Sequence, residues 1–144
     1  MKMTAESWQF WALLSAVFAA LTAIFAKIGI SAINSDFATF LRTIVVLLAL
    51  GAILAVTGKF EPLSQITLKT WIFLTLSGLA TGASWVAYFR ALKIGQASQV
   101  APLDKMSVVL VAIFGVIFLG EKLSLANWSG IALIAVGVVL ATLK

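Results

Sequence analysis

Residues 37–57 read FATFLRTIVVLLALGAILAVT, a run in which Arg42 is the single charge. A helix rises about 1.5 Å per residue, so some twenty residues cover the roughly 30 Å of a bilayer's hydrocarbon layer. Outward from this stretch lie four more apolar runs, at 8–28, 70–89, 100–119 and 128–143. The breaks between the five are short: a turn around Ser31, Asn34 and Ser35, then GKFEPLSQITLK (58–69), RALKIGQAS (90–98) and GEKLSLAN (120–127). Connections this short make successive spans antiparallel neighbours. Gly58 with Pro62, Gly95 with Ser98 and Gly120 with Asn127 supply helix-stop and helix-start residues at the breaks. The expectation is an all-α membrane protein: five transmembrane helices in one domain over residues 1–144, with no segment left for a soluble domain.

Composition agrees. Of the 144 residues 62% are hydrophobic and 10% are charged, against about a quarter charged in soluble domains. A sphere of this size has too few polar residues to cover itself in water, whereas lipid tails accept an apolar exterior. There is no cysteine and no histidine, which removes disulfides, thiolate metal sites, the cysteine nucleophile and the commonest general base. An enzyme is therefore not expected, nor a metal or other cofactor. The net charge of +5 comes from basic residues placed singly between apolar spans, so lipid headgroups rather than nucleic acid are the expected partners. Residues 1–26 have a rival reading as a secretory signal peptide, since Lys2 precedes an alanine-rich run; the run is long for that, and the first helix is expected to be retained.

Five spans put the termini on opposite faces, here face A for the N-terminus and face B for the C-terminus. Trp8, Trp11, Trp71 and Trp128 then fall at face A, while Trp85 and Tyr88 approach face B, as aromatic residues at headgroup level should. Lys2, Lys59, Lys69 and Lys122 lie on face A; Lys27, Arg42, Arg90, Lys93, Lys105 and Lys144 lie on face B. The positive-inside rule places face B in the cytoplasm, but a tally of four against six is weak enough for some copies to insert the other way up.

The stretch WVAYFRALKIGQASQVAPLDKMSVVLVAIFGVIFLGEKLSLANWSGIALIAVGVVL, residues 85–140, resembles the second part of an EamA domain, the repeat of the drug/metabolite transporter superfamily. FAALTAIFAKIGI (18–30) and the arginine of FLRTIVV (40–46) resemble its opening, so the likeness covers nearly the whole chain. The resemblance implies a transporter fold in which larger members carry two inverted five-helix repeats, so that this chain is one half-repeat of a ten-helix type. It implies a class of cargo, small molecules, without naming one, and a bacterial cytoplasmic (inner) membrane as the location. Substrates in such folds sit near the midplane between two repeats, and five helices supply one wall of that cavity. A homodimer is the expected working form, antiparallel if the weak charge bias gives dual insertion, or else a pairing with a similar subunit.

Charges within a span are costly and, unless they snorkel, face a polar interior. Arg42 lies about 8 Å into its span; it either holds an anionic substrate or stretches to face B. Asp104 follows Pro102 in APLDKMS, expected as the opening turn of the fourth helix. There it either serves the helix's unpaired N–H groups or exchanges a proton or counter-ion with substrate, as the only carboxylate expected so near a span interior. Lys27, Arg42, Arg90, Lys93, Asp104 and Lys105 all belong to the face B ends of the first four helices. Converging, they would form a basic mouth for anionic or zwitterionic solutes; apart, they would anchor lipid. Ser84, Trp85, Tyr88, Ser98 and Gln99 are further candidates to line a cavity. Gly78 with Gly82, and Gly130 with Gly137, are candidates for close helix packing, either within one copy or at a dimer seam. Glu121 and Lys122 read as solvated loop charges. The Gly58-Lys59 pair lacks the rest of a phosphate-loop pattern, so transport would draw on a gradient rather than ATP. The alternative function is a non-transporting accessory subunit of a larger membrane complex.

Overall fold

The structure, a computed structural model, describes residues 7–143. Six helices follow in order: α1 (Trp8–Gly29), α2 (Ser35–Thr57), α3 (Leu68–Ile94), α4 (Ala97–Asp104), α5 (Ser107–Leu119) and α6 (Leu125–Thr142). A 3-10 turn at Leu63–Gln65 interrupts the α2–α3 connection. Among the described residues five helical stretches are long and apolar enough to cross a membrane, α4 and α5 counting together as Ala97–Leu119. Their sides carry bare apolar chains: Val45, Leu47 and Leu48 of α2 are 65%, 69% and 66% exposed, a surface that suits lipid and not water. The chain is an integral, multi-pass membrane protein. Several hydroxyls within the spans pair with the backbone of their own helix. Thr39 and Thr43 donate to the carbonyls of Ser35 and Thr39, Thr81 to Ser77, and Ser129 to Leu125, each one turn back.

Helix ends follow local chemistry. Asn34 caps α2, its side-chain oxygen accepting from the N–H groups of Asp36 and Phe37 at 2.8 and 3.2 Å. Ser124, rather than Asn127, caps α6: its hydroxyl accepts from the Asn127 N–H at 3.2 Å. Gly58 and Gly120 end α2 and α5 at φ of 64° and 69°, a left-handed geometry that a side chain disfavours. Gly95 shows no such φ.

Two spans differ from their expected form. The third does not stop at Phe89 but continues to Ile94, because Arg90 and Lys93 find acceptors along the helix end and need not leave it. The fourth is broken. Pro102 lies inside α4, not at its opening, and the chain tightens after it: the N–H groups of Lys105 and Met106 reach back only three residues, to Pro102 and Leu103, at 2.9 and 3.0 Å. Asp104 therefore ends a helix that began at Ala97, about 10 Å along the span.

By their contacts the described residues divide into two units, one of residues 26–93 and one of residues 7–25 with 94–143. In the first, the end of α1, all of α2 and most of α3 lie together. In the second, α6 packs against both α4 and α5, and an open apolar groove of about 270 Å³ runs between Met106 and Ala135, Val136, Val139 and Leu140.

Candidate functional site

The unit of residues 26–93 holds the densest arrangement of polar groups. At the mouth of the α2–α3 pair, Arg90 donates from Nε to Asp36 Oδ1 at 2.8 Å and from Nη2 to Oδ2 at 2.5 Å, a two-pronged ion pair. Asp36 stands in the first turn of α2, where the positive helix end also favours a carboxylate. Asp36 thus adds a carboxylate at the start of a span, whereas Asp104 stands eighth in its own helix. The Asn-Ser-Asp sequence that caps α2 was the available signal for Asp36; its partner, 54 residues on, left none.

Six residues deeper on α2 and five deeper on α3 comes a second rung. The Arg42 guanidinium carbon lies 4.2 Å from the centre of the Trp85 ring and 5.5 Å from that of Phe89. Trp85 and Phe89 are four apart and share one face of α3, so the arginine rests on a shelf of two rings. It is nearer the deeper ring. Tyr88 stands on the same stretch, close enough to interact electrostatically with Arg42. Because α3 runs on to Ile94, Trp85 lies about 14 Å inside it, where it supports Arg42.

Arg42 is half-buried, and among the described residues no carboxylate or other hydrogen-bond acceptor meets it. A desolvated cation over an indole gains roughly 2 kcal/mol.

The two lysines of this unit are held by backbone. Lys27, in the last turn of α1, donates to the Leu92 carbonyl at 2.6 Å, at the end of α3. Lys93, in the last turn of α3, donates to the carbonyls of Ile30, Ser31 and Ile33 at 2.6, 2.8 and 3.0 Å, just past α1. Each helix lends a cation to the negative end of the other, where the last carbonyls lack partners. Of the residues expected to form a basic mouth, Lys27, Arg90 and Lys93 are therefore occupied by protein acceptors, and Arg42 stands apart.

In the other unit Lys105 Nζ lies 3.4 Å from Asp104 Oδ2, both side chains partly exposed, at the break between α4 and α5. Glu121 does not simply extend into solvent: a Cβ added to Gly115 would fall 2.6 Å from its carboxylate, which folds back over α5. At Gly78, Gly82, Gly130 and Gly137 no described atom lies within 4 Å of where a Cβ would sit, so contacts within one copy do not require these glycines. Among the described residues no group of three or more acidic residues gathers as a metal site would need.

The pattern of the EamA-like transporter family matches residues 6–143, nearly the full length. The chain belongs to the EamA-like transporter family. A Sinorhizobium protein named "Uncharacterized transporter in cobO 3'region" is 67% identical over 135 residues, covering 94% of this chain and 96% of that one. This EamA relative is thus of matching length. No solved structure matches the EamA chain.

Proposed function

We propose that the protein is a secondary transporter of small anionic or zwitterionic molecules, working as a pair of five-helix units in a bacterial cytoplasmic membrane. The supporting observation is membership of a transporter family by a chain that carries an arginine without a protein counter-ion inside a span. Pairing is supported by size: five helices give one wall of a midplane cavity, and a relative named as a transporter has this same length. The pair is either a homodimer, with the two copies antiparallel if insertion is dual, or a complex with a similar subunit. Gly130 with Gly137 on α6, and Gly78 with Gly82 on α3, offer the open small-residue faces on which such a seam forms in lipid. Arg42 binds the anionic group of the cargo. Asp104, next to a helix break of the kind transporters place at their sites, carries the coupling proton or counter-ion.

Purified protein in liposomes, screened by electrometry against amino acids and organic and phosphorylated anions, should show flux for at least one class. R42A and D104A should each lose that flux while still inserting in the membrane. Unchanged flux in both variants refutes the assignment of these residues. Absence of flux for every class favours the second reading, an accessory subunit, since only a transporter moves solute by itself.

A further inference from the structure

We infer that Arg42, seated on Trp85 and Phe89, is an oxyanion receptor that takes two oxygens of a carboxylate or phosphate group on the edge of its guanidinium. This deepens the transport reading and rests on it for its meaning, but it is a statement about binding. Three observations carry it. The guanidinium lies over the two rings, its carbon 4.2 and 5.5 Å from their centres, and is held in place by them. Among the described residues nothing accepts from its N–H donors. Every other cation near this mouth already has acceptors: Arg90 has Asp36, Lys93 has three carbonyls and Lys27 has Leu92.

A planar guanidinium fork matches a pair of oxygens about as far apart as its own nitrogens, and a carboxylate or phosphate presents such a pair. Chloride is spherical and satisfies one donor direction at a time. A neutral amide or hydroxyl leaves the charge uncompensated. The preferred ligand is therefore an oxyanion rather than anions at large. A soluble solute and a lipid headgroup both carry the chemistry, and the test separates them.

With Trp8, Trp11, Trp71 and Trp128 replaced by phenylalanine in the full chain, Trp85 is the remaining indole and reports on its own neighbour. In detergent, acetate or inorganic phosphate added at constant ionic strength should change its emission saturably, and chloride should not. Loss of a charge-assisted hydrogen bond corresponds to roughly a tenfold or larger rise in Kd, which is expected for R42K. R42A should show no response. R42K retains the charge and so keeps the question open to measurement if R42A does not fold. If soluble oxyanions act in phosphatidylcholine nanodiscs but not in phosphatidylglycerol nanodiscs, the lipid headgroup is the resident ligand. An equal response to chloride, an unaltered response in R42K, or no response in any of these settings overturns the proposal. Binding without flux in liposomes would sink the transport reading and leave the receptor standing; flux with no effect of Arg42 variants on binding does the reverse.

Discussion

Lys93 holds three carbonyls with one ammonium, and nothing else among the described residues would take its place if it were removed. Replacing it by alanine exposes the end of α1, and a charge-assisted contact of this kind is worth on the order of 2 kcal/mol. K93A should lower the melting temperature in detergent measurably. The exposed Arg90–Asp36 pair, with side chains 63% and 44% exposed, is screened by solvent, and D36N should shift the melting temperature much less than K93A does. Glycines separate in the same way. At Gly120 a side chain meets a left-handed φ of 69°, and G120A should cost about 1 kcal/mol. At Gly115 the added methyl meets only the tip of the flexible Glu121 side chain, which swings away, so G115A should leave the melting temperature nearly unchanged. Sequence showed where these residues lie but not what they touch. Lys27 and Leu92 are 65 apart and Arg90 and Asp36 are 54 apart; no local pattern encodes such partners. Arg42 was legible as a charge in an apolar run, but the two rings under it were not, since they lie more than 40 residues away along the chain.

Among the elements, the existence of five spans was readable because lipid imposes a length and tolerates few charges. Their ends were less so. The third helix runs five residues beyond its apolar run, because Arg90 and Lys93, expected as a basic mouth or as lipid anchors, reach acceptors within the protein. The fourth was read as starting near its proline, following the usual preference of proline for a first turn; here the residue sits mid-element and tightens the backbone behind it. P102A restores a donor and removes a clash, for which host studies give about 3 kcal/mol per residue within a helix. The variant should join α4 to α5, slow amide hydrogen exchange at Lys105 and Met106 and raise the melting temperature. If the break at Asp104 serves coupling, flux falls in the same variant; a joined helix with full flux would show the break to be incidental.

For the molecule as a whole, the four-to-six distribution of basic residues bears on orientation. With so small a bias, alkaline phosphatase and green fluorescent protein fused at the C-terminus should both be active, each reporting a subset of copies. Adding two lysines near Lys93 should leave only the fluorescent fusion active, because a clear charge excess fixes the face. Activity of one reporter alone in the unaltered chain would exclude antiparallel pairing of identical copies, leaving a parallel dimer or a second subunit. Family membership was visible from residues 85–140 and the cargo was not, since cargo is chosen by a few side chains that no span-level pattern constrains.

The exchange of lysines between α1 and α3 also sets an order of events during synthesis. Lys27 enters the bilayer with the first helix, but the carbonyl that receives it belongs to Leu92, made much later. Until then that contact is missing, and the carbonyls of Ile30, Ser31 and Ile33 wait likewise for Lys93. A nascent chain halted before residue 93 would hold its first two helices as a loose hairpin, open to proteolysis at the Ser31–Asn34 turn. The same turn becomes locked within a few further residues of elongation.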